Sequence, residues 1–377
     1  TALSWQRQAG VLSPDHGFAD TFLKDGRAPQ PGDRFRMPGA AKALEAIAET
    51  NGDAFYRGAI AQEIVATSQA AGGAHSMADF EAHRPDWVDP IVIDACGLTI
   101  HEIPPNGQGL AALIALGILE RCDLGSEPDT VRAIHFEIEA VKLALADLYA
   151  HVGDPDAMTE PAQGFLEPAY LDERAALIDP ARAGDFATGK PARGGTVLLT
   201  TADENGMMVS FIQSNYDGFG SGCVTPRYQI SLQNRGSAFS LDPASPNRVG
   251  PGKRPFHTII PGLATKDGAP FMAFGVMGGP IQAQAHTQLV TRIARFGQGP
   301  QTAIDAPRFR ALGGRRVAVE AHFPEETLKG LEALGHELVT EAPGVAFGFG
   351  GAQAIVRHGE LYAAGSDPRK DGLALVR

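Results

Sequence analysis

The sequence predicts an α+β protein, and three observations support that prediction. Through most of the first half of the chain, apolar residues recur at helical spacing. From Thr196 onward the pattern changes to β-prone runs that are joined by short turns. The 377 residues, of which 44% are hydrophobic, suffice to bury a large core, either as one α/β unit or as two domains.

The first half contains the clearest helical patterns. Between Pro38 and Gly73 apolar residues recur mostly every three to five positions, interrupted by Asn51-Gly52, which predicts two amphipathic helices. The β-branched stretch Ile91–Ile103 instead predicts a pair of strands. An apolar helix should follow Gly109, and a longer one should span Val131–Val152.

The second half begins with a predicted hairpin. Thr196–Ala202 and Met207–Gln213 are β-prone, and the turn Asp203–Gly206 between them ends in Asn-Gly. The preceding stretch, Pro180–Gly195, is rich in Ala, Gly, Arg and Pro and should form an exposed loop. Such a loop suits an internal cleavage site, and its composition suits an ordinary connection equally well.

Composition and motifs argue against several classes of protein. The net charge of -12 disfavours a non-specific nucleic-acid binder, and no run of about 18 apolar residues predicts a membrane span. The three cysteines form no CxxC pair, and the 11 histidines include no HExxH motif. We therefore expect no metal, cofactor, nucleic-acid partner or membrane partner. The expected compartment is the cytoplasm, with the periplasm left open because the native N-terminus is not visible.

Thr196 and Gly278-Gly279 are the residues that fit a chemical mechanism. A threonine at the start of a chain carries its own base, because its α-amine, with a pKa of about 8, can take the hydroxyl proton. Consecutive glycines can place backbone N–H groups against a developing oxyanion. A Gly-x-Ser-x-Gly serine-hydrolase motif is absent, and His257 and His286 are expected to be structural histidines.

Ordered motifs identify a family resemblance that covers essentially the whole chain. The downstream motifs are, in order, Gly195-Thr196, Asp203-x-x-Gly206, Phe219-Gly220-Ser221-Gly222, Pro251-Gly252-Lys253-Arg254-Pro255, Gly278-Gly279, Asp305-Ala306-Pro307-Arg308 and Ser366-Asp367-Pro368-Arg369. The upstream motifs are Phe55-Tyr56-Arg57-Gly58, Pro104-Pro105 and Gly153-Asp154-Pro155. Together they resemble the gamma-glutamyltransferase family of N-terminal-nucleophile hydrolases, whose own pattern begins upstream of residue 1.

The resemblance implies a four-layer αββα sandwich made by autocatalytic cleavage of a zymogen. Residues 1–195 would be the C-terminal part of the large subunit and 196–377 the small subunit, together forming one domain. By position, Thr196 matches the nucleophile freed by cutting the Gly195–Thr196 bond, and Gly278 and Gly279 match the oxyanion glycines. Ser214 falls where the family has a second threonine that hydrogen-bonds the nucleophile.

The positions that match the family's substrate-binding residues differ in chemistry. His257 and Thr258 replace the consecutive serines that grip the glutamyl α-carboxylate, and Tyr216, or Asn215 with a one-residue shift, replaces an asparagine. The amine-binding glutamine and aspartate fall on Arg235 and Ala238. A buried α-ammonium without its carboxylate partner would be costly, whereas the fork of Arg235 suits a carboxylate. A glutaryl group or a short diacid monoamide such as oxamate therefore fits better than a glutamyl group.

The resulting expectation is a self-cleaving amidohydrolase that acts on a small-molecule amide through an acyl-threonine. A gamma-glutamyl or related acyl group would be hydrolysed or transferred, as in glutathione metabolism. A glutaryl or cephalosporin acylase or an oxamate-type amidohydrolase is the alternative. A second alternative is an uncleaved, non-catalytic binding or scaffold protein. The processed large and small subunits could further pair as a dimer of heterodimers.

Overall fold

The computed structural model describes residues 1–12, 15–186, 195–341 and 348–376. The chain divides into two compact units, the first made of Thr1–Trp87 with Ser214–Arg235 and the second of Val88–Gln213 with Gly236–Arg377. This division follows compactness, and the subunit boundary after residue 195 stays a prediction. Half of the predicted cleavage loop, residues 187–194, lies outside the described residues.

The first unit is mainly helical. Its helices are α1 (Ala2–Ala9), α2 (Phe18–Phe22), α3 (Pro38–Glu49), α4 (Asp53–Arg57), α5 (Ala59–Ala70) and α6 (Met77–Ala82). Two helices were predicted between Pro38 and Gly73, and the structure has three there, because α4 is a separate short helix. Asn51 and Gly52 both take positive φ values, 51° and 90°, and so end the helical path before α4 begins.

The second unit contains most of the strands. Its elements in order are β1 (Ile91–Ala95), β2 (Leu98–Glu102), α7 (Gly109–Leu119), α8 (Val131–His151), α9 (Pro168–Ala175), β3 (Gly195–Ala202), β4 (Met208–Tyr216, the last three residues in the first unit), β5 (Gly262–Lys266), β6 (Ala269–Met277), α10 (Ile281–Val290), α11 (Pro300–Asp305), β7 (Phe309–Gly313), β8 (Arg316–Glu320), α12 (Glu325–Ala333), β9 (Glu337–Glu341), β10 (Gly351–His358) and β11 (Leu361–Ser366). The predicted strand pair, the long helix from Val131 and the hairpin from Thr196 are confirmed.

A six-stranded antiparallel sheet forms the centre of the second unit, in the order β1-β2-β5-β6-β10-β11. Its two faces pack against different layers. Phe274 of β6 lies against His286 of α10, with ring centroids 4.9 Å apart. The next residue, Gly275, points to the opposite face, where Leu198 of β3 lies. Helices, the central sheet and the β3-β4 sheet are therefore three consecutive layers of the predicted sandwich.

The outer face of the β3-β4 sheet is apolar and exposed. Val197 and Leu199 on β3, and Val209 and Phe211 on β4, all point away from the central sheet. A face of this composition is normally covered by another layer of secondary structure. Among the described residues, no helix is long and apolar enough to cross a membrane.

Candidate active site

The residues predicted for the active site are divided between the two units, and each set is described separately. The second unit holds Gly195, Thr196, His257, Thr258, Gly278 and Gly279. The first unit holds Ser214, Asn215, Tyr216 and Arg235.

Thr196 lies near the start of β3 and is buried, with 7% of its surface exposed. Alternation along the strand puts Thr196 on the same face as Leu198. The Leu198 methyl groups would lie 2.9 Å from a Cβ on Gly275, so only glycine permits this approach of β3 to β6. Along the chain, Thr196 is two residues from Leu198, and Gly278 is three residues from Gly275. Thr196 and Gly278 therefore belong to elements in neighbouring layers of the second unit.

Gly278 and Gly279 connect the end of β6 to α10. Their φ values are 137° and 72°, in the region that favours glycine. The Gly279 carbonyl accepts from the backbone N–H of Gln282 at 3.1 Å, in the first turn of the helix. Backbone N–H groups near the start of a helix favour negative charge. The glycine pair thus lies immediately before the N-terminal end of α10.

His257 and Thr258 are held by a loop whose residues the sequence did not single out. Gly107 and His257 form a parallel β-bridge. Gln108 N donates to His257 O at 3.0 Å, and His257 N donates to Asn106 O at 2.9 Å. Thr258 is buried. In the sequence, Pro104-Pro105 is one of the family motifs, but the segment up to Gly109 gives no sign of these long-range partners.

Arg235 and Tyr216 form a cation–π pair in the first unit. The Arg235 guanidinium lies 4.9 Å from the centroid of the Tyr216 ring, and only 4% of Arg235 is exposed. Burial lowers the pKa of Arg235 to about 10, against the opposing effects of Tyr216 and Asp217, so the side chain stays cationic at neutral pH. The ring therefore orients a buried positive charge, as carboxylate recognition requires.

The segment around Ser214 is ordered by short polar contacts. The Ser214 hydroxyl accepts from the backbone N–H of Tyr216 at 2.9 Å. The Asn215 carbonyl accepts from Asn234 N at 3.1 Å, and Asn234 in turn bonds Asp217 through its side chain. Tyr216 itself takes a φ of 78°, a conformation that residues with a side chain rarely adopt. These bonds stabilise that conformation and thereby set the direction of the tyrosine ring.

His286 is a structural histidine, as predicted. Its Nε2 accepts from the backbone N–H of Val276 at 3.2 Å, so its Nδ1 carries the proton and donates to Glu102 at 2.6 Å. Both side chains are fully buried. Burial raises the pKa of Glu102, although His286 lowers it in part. The imidazole thus connects α10 to β2 and β6 of the central sheet.

His135, Glu139 and His336 come together in a way that the sequence did not reveal. Their potential ligand atoms lie within 4.8 Å of one another and are buried, so they could hold a metal ion. The contacts are, however, those of a hydrogen-bonded network. The two imidazoles bond at 2.9 Å, and Lys142 Nζ lies 2.8 Å from Glu139. The ammonium supplies the positive charge that a cation would bring.

The comparisons with known proteins agree with this architecture. The family model for gamma-glutamyltranspeptidase matches residues 1–376. The oxamate amidohydrolase proenzyme of Klebsiella pneumoniae is 37% identical over 366 residues, which cover 95% of this chain and 68% of the relative. The glutathione hydrolase-like YwrD proenzyme of Bacillus subtilis is 36% identical over 365 residues, 95% of this chain and 69% of the relative.

The solved structures include a similar protein that matches nearly the whole fold. The cephalosporin acylase of Bacillus halodurans superposes with a TM-score of 0.93 and 43% identity, and the match covers 99% of this chain and 69% of that one. The α+β fold of the N-terminal-nucleophile hydrolases is therefore confirmed, and so is the assignment to the enzymes. The chain spans about two thirds of the length of these relatives. It belongs to the gamma-glutamyltranspeptidase family.

Proposed function

We propose that this protein is a self-processing amidohydrolase in which Thr196 is the nucleophile. The observation that carries the proposal is the packing of Leu198 against Gly275. It brings the buried face of β3, which includes Thr196, onto β6, the strand that Gly278-Gly279 follow. This packing supports the proposal, because the proposed nucleophile and the proposed oxyanion glycines then belong to elements of two layers that are in contact.

The reaction begins with cleavage of the Gly195–Thr196 peptide bond, which frees the Thr196 α-amine. The amine takes the hydroxyl proton as Thr196 Oγ attacks the amide carbon of a substrate. The N–H groups of Gly278 and Gly279 donate to the oxyanion. The C–N bond then breaks, the leaving amine takes the proton, and an ester to Thr196 remains. Water hydrolyses this ester and restores the hydroxyl.

The substrate class that we propose is an amide whose acyl group ends in a carboxylate and lacks an α-amine. The buried cationic Arg235 supports this choice, because its guanidinium matches a carboxylate in shape and charge. Glutaryl amides and oxamate have such acyl groups. Gamma-glutamyl amides carry an additional ammonium, and Ala238 stands where the family has its acidic partner. Oxamate amidohydrolase and cephalosporin acylase are also the names of similar proteins.

Denaturing electrophoresis tests the processing step. We expect two fragments, residues 1–195 and 196–377, with Thr as the first residue of the second. Thr196→Ala should remain a single band. Thr200→Ala, on the same face of β3, is the matched control and should be cleaved normally. A wild-type protein that stays intact would instead support a non-catalytic binding or scaffold protein.

An acyl-donor panel tests the substrate class on full-length, processed protein. Glutaryl anilide, oxamate and gamma-glutamyl anilide are compared by kcat/KM, with and without an amino-acid acceptor. A preference for gamma-glutamyl anilide would refute the carboxylate assignment while leaving the nucleophile in place. Product that depends on the acceptor would show transfer. Sedimentation and cell fractionation test the dimer of heterodimers and the cytoplasmic location, which stay predictions.

A further inference from the structure

We infer that Gln108 is a positioning residue that holds the oxyanion glycine Gly279 and the substrate-site residue Thr258 in a fixed relation. The inference rests on the proposed function, because it assigns Gln108 a role in that same site. It concerns a residue of the loop before α7 that carries no reacting atom. Gln108 acts through its neighbours and is not a catalytic residue.

The side chain of Gln108 is completely buried and joins two separate segments. Its Nε2 donates to the backbone carbonyl of Gly279 at 2.9 Å and to that of Thr258. Both partners are carbonyl oxygens and can only accept, so the amide nitrogen, not the oxygen, must face them. A primary amide has two N–H groups, and each carbonyl uses one.

The main chain of Gln108 reinforces the same connection. Its N–H donates to His257 O, next to Thr258, and Asn106 Nδ2 donates to Pro255 O further along the same segment. Gln108 immediately precedes the buried helix α7, with its own carbonyl bonded to Ala111 N. The amide is therefore anchored on a rigid element and can transmit position to both segments.

The orientation of Gly279 depends on such external bonds. Glycine has little intrinsic preference between positive and negative φ, and Gly279 has a φ of 72°. Its carbonyl is fixed by Gln108 and by Gln282 N, so the peptide plane that follows it cannot rotate. With that plane fixed, only rotation about the N–Cα bond of Gly279 remains to redirect its N–H, which belongs to the preceding peptide plane. Loss of the Gln108 bond should therefore affect oxyanion stabilisation.

The kinetic signature follows from the timing of that interaction. An oxyanion exists only in and around the transition state, so a misdirected N–H lowers kcat more than it raises KM. Removal of a whole oxyanion donor costs about 100- to 1,000-fold in kcat. Misalignment of a donor that is still present should cost less, about 10- to 100-fold. A merely structural amide would lower stability and leave kcat of the folded enzyme unchanged.

The first experiment compares Gln108→Met with Gln288→Met. Gln288 is also a buried glutamine that bonds backbone groups, donating to Phe309 O and accepting from Phe309 N, each at 3.1 Å. Both variants should show a lower Tm, because each leaves buried backbone groups unpaired. Only Gln108→Met should lose kcat, by about 10- to 100-fold, in glutaryl anilide hydrolysis by folded, processed protein. Equal kcat values for the two variants would overturn the inference.

Gln108→Glu supplies a second, independent test. The variant keeps the shape of the side chain but presents an oxygen to the two carbonyls. When protonated, the carboxyl group regains one O–H donor. We expect kcat relative to wild type to rise as the pH falls, whereas a variant with only packing damage would show a constant ratio. A constant ratio refutes the positioning role.

The outcomes separate this inference from the function on which it rests. Wild-type protein that neither cleaves itself nor hydrolyses the panel would refute the proposed function and the inference together. An active wild type with unchanged kcat in Gln108→Met would refute the inference alone. If Gln108→Met does not fold, the pH dependence of Gln108→Glu decides between the two roles.

Discussion

Arg308 and Asp367 form a buried ion pair in which the guanidinium donates to Asp367 Oδ2 at 2.8 Å. Arg308 also donates to the carbonyls of Phe349 and Ile304, and the same Asp367 oxygen accepts from Ala352 N. Two motifs that carry the family resemblance, Asp305–Arg308 and Ser366–Arg369, thus meet in the interior. Their charged residues join strands β10 and β11 to the segment that precedes β7.

Asp367→Asn should destabilise the protein by about 3–5 kcal/mol, because it leaves the buried Arg308 charge without its partner. Burial opposes ionisation of Asp367, but Arg308 and Arg369 lower its pKa overall. The stability from this lowered pKa is present at neutral pH and is lost as the pH falls through the folded-state value. Urea unfolding at several pH values measures both effects. Asp305→Asn, exposed in the same motif, should change stability by less than about 0.5 kcal/mol.

Glu137 on α8 should make the protein less stable as the pH rises. Burial raises the pKa of Glu137 to about 8, although Arg292 lowers it in part. A raised pKa gives stability that is complete below the unfolded-state value and is lost as the pH rises through 8. Glu137→Gln should therefore stabilise the protein at pH 9 by a few kcal/mol and change little at pH 4. Equal unfolding free energies for variant and wild type at pH 9 would contradict this.

Glu139, two residues along the same helix, should stabilise the protein through its ion pair with Lys142. Its carboxylate lies 2.8 Å from Lys142 Nζ, and both side chains are fully buried. Glu139→Gln leaves the lysine charge unpaired and should cost about 3–5 kcal/mol. The double variant Glu139→Gln with Lys142→Met removes both charges, so its loss should be smaller than the sum of the two single losses. Additive losses in a double-mutant cycle would show that the pair is not coupled.

The local pattern of the sequence is sufficient to predict helices and hairpins, because residues close in the sequence stabilise them. The alternation after Thr196 and the Asn-Gly turn predicted the hairpin, and Asp203 indeed bonds the backbone of Asn205 and Met207 through its side chain. The helical period predicted Val131–His151 to within a residue. In contrast, the sequence predicted only one interruption, at Asn51-Gly52, between two helices. The positive φ values of these residues end α3, and the separate short helix α4 follows before α5.

Partners distant in the sequence could not be predicted from it. Lys142 has the spacing of a polar residue on a helix surface, yet it is buried against Glu139 and Gly184 O. Gln108 lies immediately before α7, and its two carbonyl partners lie 150 and 171 residues away in the sequence. Such contacts depend on how layers stack, which periodicity does not encode. The motif match predicts roles for Thr196 and the glycine pair, but it does not identify the residues around them, such as Gln108.

Arg235 should control substrate affinity through its charge and its shape. Arg235→Gln removes the charge and should lower kcat/KM for glutaryl anilide by about 10- to 100-fold, corresponding to the 1.5–3 kcal/mol of a hydrogen bond to a charged group. Arg235→Lys keeps the charge but loses the fork, so it should recover only part of the activity. Arg227, which lies 5.0 Å from the Tyr228 ring at the surface of the same unit, is the matched control. Arg227→Gln should leave kcat/KM unchanged, and an equal loss in both variants would contradict the assignment.

Gly279→Ala should separate the chemical role of this glycine from its backbone conformation. Gly268, in the turn between β5 and β6, has a φ of 77° and open space around it, so Gly268→Ala imposes a similar conformational strain. Each variant should lose about 1–2 kcal/mol of stability, because alanine disfavours the left-handed region. Only Gly279→Ala should also lower kcat, by up to about 1,000-fold, since the shifted N–H no longer meets the oxyanion. Tm and kcat measured on both processed proteins decide the matter. A Gly279→Ala enzyme with wild-type kcat and a lowered Tm would show that Gly279 only forms the turn, and the oxyanion donor would then have to be sought elsewhere.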